Sequence, residues 1–198
     1  MSDTRILVRG GGIGAVLAGV NFLIFSVSSL QGGMQGDGGG SSFLDPVFGN
    51  VLSIVALLGQ LAAIASLHFL QKERSGWQGT TGALVSFVGF ALQLMVQVIG
   101  VVGGLILLEG TVLVYLGILT PFVGLVILGI ATIRARMLPR WFGVLLIIGF
   151  PVVAVLLGVP DMELRETLTG VALAIFWGLV GYVLLSRGTQ SQRSAGVR

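Results

Sequence analysis

Cysteine is absent from this chain of 198 residues, and histidine occurs once, at His68. Without cysteine there are no disulfides, thiolate metal sites, iron–sulfur clusters or cysteine nucleophiles. One histidine falls short of the two or three that histidine-based metal sites use, so no metal site is expected. Charge is scarce as well. Charged residues make up 10% of the chain, against about 25% in an ordinary soluble domain. That is too little to cover a water-soluble globule, which excludes a soluble enzyme, a nucleic-acid-binding domain and a disordered chain. The net charge of +3 and isoelectric point near 10.2 invite a nucleic-acid reading. The placement of the basic residues argues against it, because they follow a membrane pattern rather than a patch.

What the chain has in quantity is apolar sequence: 55% hydrophobic residues and a mean hydropathy of +1.02. Crossing about 30 Å of hydrocarbon takes about 20 apolar residues. Six runs qualify: Gly11–Leu30, Val47–Leu70, Thr80–Leu108, Thr111–Ile133, Trp141–Pro160 and Thr167–Ser186. Single runs of this kind occur in buried soluble helices, but six in succession with almost nothing between them do not. The third and fourth runs meet at Glu109–Gly110, where one acid and one glycine serve for a tight turn. The expected fold is an all-α transmembrane bundle of six spans forming one domain over the whole chain.

Charge gives the orientation. Short cytoplasmic loops carry the excess of Lys and Arg. One side of the six-span reading receives Arg5, Arg9, Lys72, Arg74, Arg134, Arg136, Arg140, Arg187, Arg193 and Arg198. The other receives Arg165 together with Asp37, Asp45, Glu109, Asp161, Glu163 and Glu166. Both termini are then expected on the cytoplasmic side, with residues 187–198 as a cytoplasmic tail. The first run follows Arg5 and Arg9 as a secretory signal would, yet it exceeds an ordinary signal core and no A-x-A-like site follows. It is expected to stay as a signal-anchor span. The longest connection, Gln31–Pro46, is rich in Gly and Ser and reads as a flexible external loop, and the connection around Asp161–Glu166 as a short acidic one.

Glycine stands at 32 residues, over twice its usual share of about 7%. Gly10/Gly14 and Gly100/Gly104 have the small-xxx-small spacing that lets helix backbones approach closely, and internal bundle packing accounts for it better than a dimer face does. A weak internal repeat is also visible. Lys72-Glu73-Arg74 with Trp77-Gln78-Gly79 resembles Arg134-Ala135-Arg136 with Trp141-Phe142-Gly143, 64 residues on. Shared interfacial chemistry explains it better than a duplicated hairpin does.

Few residues carry chemistry. Gly10-Gly11-Gly12-Ile13-Gly14-Ala15 contains a G-x-G-x-x-A run, but no parallel strands can be drawn through the spans and Asp37 is no strand-end acid. His68, near the end of span two, is a candidate haem or pigment ligand; an interface-facing polar residue is the plainer reading, and no cofactor is expected. Asn21, Gln60, Gln93, Gln97 and Thr120 lie at membrane depth. Gln93 and Gln97 share a helix face, and Pro121 and Pro151 interrupt spans four and five. These residues either line a polar cavity or act as interhelical hydrogen-bond glue, and glue is the favoured reading. No Asp, Glu, Lys or Arg lies inside a span, whereas coupled transport nearly always needs one. Paired acids, activated nucleophiles and metal-ligand sets are missing too, so no catalytic residue is expected.

The segment Ile130–Leu146, with Arg134-Ala135-Arg136-Met137-Leu138-Pro139-Arg140-Trp141-Phe142-Gly143 at its centre, resembles a hairpin of uncharacterised bacterial six-helix integral membrane proteins of the domain-of-unknown-function type. The likeness is local, over about 20 residues, and implies a bacterial inner-membrane protein without supplying an activity. The resulting expectation is a non-catalytic membrane protein, a structural, accessory or assembly subunit. The alternatives are a passive channel or small-solute transporter, and a haem- or pigment-binding subunit. The expected partners are the lipid bilayer, other membrane subunits or a second copy.

Overall fold

The structure is a computed structural model that describes residues 2–34, 46–103 and 112–193. They form six helices: α1 (Ser2–Met34), α2 (Pro46–Gln71), α3 (Gly76–Gly103), α4 (Val112–Ala135), α5 (Arg140–Leu157) and α6 (Met162–Arg193). All six are long and apolar enough to cross a membrane, and no strand occurs among the described residues. The all-α six-helix reading holds. The Glu109–Gly110 turn, residues 35–45 of the glycine-rich connection, and residues 194–198 of the tail lie outside the described residues.

The helix boundaries follow from local chemistry. α2 ends in a turn that Gly76 leaves with φ +58°, a left-handed conformation that glycine adopts without strain. Pro139 precedes α5 in an extended conformation, where its missing N–H is no loss, and Phe142 N–H bonds its carbonyl at 3.0 Å. The acidic segment expected as a loop is instead the first turn of α6. Asp161 Oδ1 accepts from Leu164 N–H at 2.9 Å, capping the helix so that Glu163, Arg165 and Glu166 fall inside it. Pro121 and Pro151 do not interrupt α4 and α5, which run through them. One lost hydrogen bond is tolerated where neighbouring helices supply the contacts.

Consecutive helices pack antiparallel, and α6 returns against α1. The alternation gathers Arg9, Lys72, Arg74, Arg134, Arg136, Arg140 and Arg187 at one end, hereafter the basic end. Asp161, Glu163, Arg165 and Glu166 lie at the opposite, acidic end. The centre is apolar and aromatic: Trp177 of α6 meets Phe90 of α3 edge to face, with ring centroids 5.7 Å apart. Phe142, Ile64, Leu67, Leu125 and Leu146 fill the space around them. The outer faces of the helices are apolar too, as Leu17, Leu58, Phe87, Leu119, Ile148 and Ile175 show. In water such a surface would aggregate; in lipid it is the expected exterior.

Glycine sets the helix spacing. α1 turns Gly12, Gly19 and Ser26 toward α6, where they meet Leu185, Ala174 and Gly170. It turns Gly14 toward Gly59 of α2, and a Cβ on Gly14 would lie 2.8 Å from the Gly59 backbone. On the α3–α4 contact Gly82 faces Leu128, Gly124 faces Ser86, and Gly89 faces Pro121. Gly10 has open space around it, so the Gly10/Gly14 pair is not one contact; Gly104 lies outside the described residues. The W-x-G glycines are not equivalent across the two hairpins. Gly79 faces Ser75 and the following helix at Ala131, whereas Gly143 faces the preceding helix at Gly129 and Ile133.

Gly59→Ala forces a methyl into the backbone of α1 and is expected to destabilise the bundle by about 1–3 kcal/mol, the usual cost of overpacking. Gly178 has nothing within 4 Å of its Cβ position, so Gly178→Ala should be neutral or slightly stabilising. Thermal unfolding of both variants in detergent checks the contrast.

Candidate functional site: a carboxamide-lined cleft between α2, α3 and α4

One face of α3 carries Gly82, Ser86, Gly89, Gln93 and Gln97 in succession. The first three are small and let α4 touch α3 along its backbone. The last two are not, and there the helices part. A cleft of about 200 Å³ opens between Leu57 of α2, Gln93, Val96 and Gln97 of α3, and Gly117 and Ile118 of α4. Gly117 brings α4 close enough that a Cβ there would lie 3.3 Å from Gln93 Cγ.

The cleft has a direction. Gln97 lies 21 residues past Gly76, about 31 Å from the basic end at 1.5 Å per residue. The site therefore lies toward the acidic end. Gln97 Nε2–H donates to Asn50 Oδ1 of α2 at 2.8 Å, tying α3 to α2. Toward the basic end the cleft is closed by Gly89 against Pro121 and by Ser86, whose hydroxyl donates to the Pro121 carbonyl at 3.3 Å.

Of the five polar residues singled out in the sequence, Gln93 and Gln97 come together here. Gln60 is buried on α2 with Oε1 lacking a hydrogen-bond partner, and it does not line the cleft. Asn21 on α1 and Thr120 on α4 are half-buried and do not line it either. His68 sits in the last turn of α2, half-buried, its Nδ1 enclosed without a partner and its ring 5.9 Å from that of Phe69. Among the described residues no group of three or more His, Cys, Asp or Glu side chains is placed to hold a metal ion.

Sequence reasoning missed the carboxamide contacts of Asn50 and Gln71. Asn50 could have been found, because an antiparallel hairpin turning at Lys72–Ser75 pairs positions equidistant from residues 73 and 74, and 50 and 97 are such a pair. Gln71 could not have been found so directly, since it adjoins Lys72 and reads as an interface residue. It is fully buried, and Thr132 Oγ1–H of α4 lies 3.0 Å from its Oε1 and 2.7 Å from the Leu128 carbonyl. Beside it the hydroxyl of Ser75 is enclosed without a partner. Nearer the surface Arg134 Nη1–H donates to Gln78 Oε1 at 2.6 Å.

No protein-family model matches the chain, and neither the curated proteins nor the solved structures give a match.

In a double-mutant cycle of Asn50→Leu and Gln97→Leu, the coupling energy is expected on the order of 0.6 kcal/mol, the mean for interhelical hydrogen bonds in membranes. Unfolding measured in bicelles or mild detergent gives the value. A coupling near zero would mean that the carboxamides do not hold the two helices together.

Proposed function

We propose that the chain is a non-catalytic six-span integral membrane protein that serves as an accessory or assembly subunit of a membrane complex, in a bacterial inner membrane with both termini cytoplasmic. The observation that carries this reading is where the buried polar groups go. Gln97 bonds Asn50, Thr132 bonds Gln71, the Ser66 hydroxyl bonds the Leu7 carbonyl at 2.8 Å, and Ser86 bonds the Pro121 carbonyl. Each of these bonds joins one helix to another. Side chains used in this way hold a scaffold together, and they are poorly placed to move protons or bind a reacting group. The basic end supports the orientation, because Lys and Arg stay on the cytoplasmic face. The Arg134–Gly143 segment, with its resemblance to bacterial six-helix proteins, supports the compartment.

A second reading is a small-solute passage, and the carboxamide-lined cleft favours it. Gln93 and Gln97 offer both donors and acceptors to a polar solute. The close backbone contact of α3 with α4 from Gly89 to Gly82 weighs against a path continuing between these helices.

Purification in a mild native detergent, read by mass, separates the two. The subunit reading expects a stoichiometric complex with another membrane chain or a second copy. It is overturned by a monomer that moves or turns over a solute at a rate abolished by Gln93→Leu with Gln97→Leu. For the passage reading, solute flux into liposomes should fall at least tenfold in that double variant, and unchanged flux would count against it.

A further inference from the structure

The α5–α6 contact leaves a second cleft, of about 100 Å³, lined by Phe122, Leu145, Gly149, Val153, Ala172 and Phe176. Gly149 forms its floor by admitting the Phe176 ring, which a Cβ there would approach to 2.9 Å. Ile148, Val152 and Ile175 are exposed along its rim. A helix about 10 Å across does not fit such a space, but a short stretch of a single hydrocarbon chain does.

The α6 face that borders this cleft carries an ordered set of groups toward the acidic end. In register with Phe176 and Ala172 come Thr169, Arg165 and the capping residue Asp161, spaced three or four residues apart. The Thr169 hydroxyl is enclosed without a hydrogen-bond partner. Arg165 is half-buried, and its guanidinium has no ion-pair or hydrogen-bond partner among the described residues. Of the neighbouring acids, Glu166 Oε2 accepts from Ser29 Oγ–H of α1 at 3.2 Å, and Asp161, exposed at the start of α6, caps Leu164 with Oδ1. From Arg165 to Phe176 is eleven residues, about 16 Å along the helix, or half of a hydrocarbon core about 30 Å thick.

We propose that this cleft is a binding site for one aminophospholipid of the leaflet at the acidic end. Part of an acyl chain occupies the cleft, Arg165 pairs the phosphate, and Asp161 receives the primary ammonium. Carboxylate, guanidinium and apolar wall follow one another along α6 in the order ammonium, phosphate and chain along the lipid. A zwitterionic headgroup suits this end better than an anionic one. Asp161, Glu163 and Glu166 outnumber Arg165, so a net-negative lipid is repelled there, while the basic end attracts it. The site rests on the bundle lying in a membrane, and not on its accessory role.

The test uses the full chain reconstituted in vesicles of equal phosphatidylethanolamine and phosphatidylglycerol, then gently extracted and read by native mass spectrometry. One phosphatidylethanolamine per chain should be retained. Arg165→Gln should lower its retention about fivefold, the factor for one surface cation, and Arg165→Lys should restore most of it. Ala172→Phe, which fills the cleft, should abolish retention. Lys72→Gln with Arg74→Gln should reduce phosphatidylglycerol instead. In vesicles where phosphatidylcholine replaces phosphatidylethanolamine, retention should fall, since a quaternary ammonium cannot donate to Asp161. Equal retention by wild type and Arg165→Gln overturns the site whether or not Ala172→Phe folds. Equal retention of the choline and ethanolamine lipids overturns the headgroup assignment. Lipid retention is read on the isolated chain and partner capture on the complex, so the two failures are distinguishable.

Discussion

In hydrocarbon, a leucine buried between helices leaves surroundings as apolar as those it enters, so removal from water no longer drives one helix against another. Attraction must come from contact itself, through many short dispersion contacts and the occasional hydrogen bond, and it grows as the axes come closer. Glycine is what permits the closeness here. Gly14 against Gly59, Gly82 and Gly89 against Leu128 and Pro121, and Gly129 against Gly143 bring backbones together at the α1–α2, α3–α4 and α4–α5 contacts. The same requirement explains the burial of serine. Ser26, Ser66 and Ser86 occupy positions on these stripes, and each small side chain returns its hydroxyl proton to a carbonyl. A larger polar residue in the same place would push the helices apart.

That displacement is visible in the structure itself. On α3 the stripe of small residues ends at Gly89, and Gln93 and Gln97 follow on the same face. The helices separate at that turn, and the carboxamide-lined cleft is the gap. A similar rule shapes the α5–α6 contact, where glycine appears once, at Gly149, and is filled by a ring rather than by an opposing backbone. Both clefts are thus consequences of where close packing stops. The tight contacts and the openings belong to one packing pattern, and moving a glycine moves a cleft.

Much of the fold was legible because hydropathy and charge are independent signals that agreed on six helices. The helix ends were less so. The Asp161–Glu166 segment reads as a loop by charge, since a window that looks for apolar residues cannot see a capped polar turn. Pro121 reads as an interruption by propensity, since the Gly89 surface that packs against it lies 32 residues away. The candidate site was half legible. Gln93 and Gln97 share a face through helical periodicity, which a single helix reveals. Asn50 required the hairpin register, and Gln71 required knowing that α4 would cover it. Asn21, Gln60 and Thr120 lie within the membrane-spanning helices as the cleft residues do but away from the cleft, because hydropathy places a residue within a span while its position around the bundle comes only from packing.

The two ends of the bundle place different demands on the same membrane. At the basic end Lys72, Arg74, Arg136 and Arg140 are exposed or nearly so, and long side chains of this kind reach lipid phosphates without a formed pocket. The buried groups beneath them, Gln71, Ser75 and Thr132, are enclosed between helices and not presented to lipid. At the acidic end the arrangement is reversed, with few charges at the surface and polar side chains leading into clefts that open sideways. A molecule approaching from within the membrane meets Gln93 and Gln97 on one flank and the Arg165–Thr169 face on another. Selectivity at the basic end therefore depends on net charge, which salt screens. At the acidic end the proposed lipid site adds to net charge the order of charged groups and apolar wall along a helix, which salt screens far less. A bundle whose described residues bury no charged side chain can still discriminate among membrane components if recognition takes place at its sides, where helix packing leaves space.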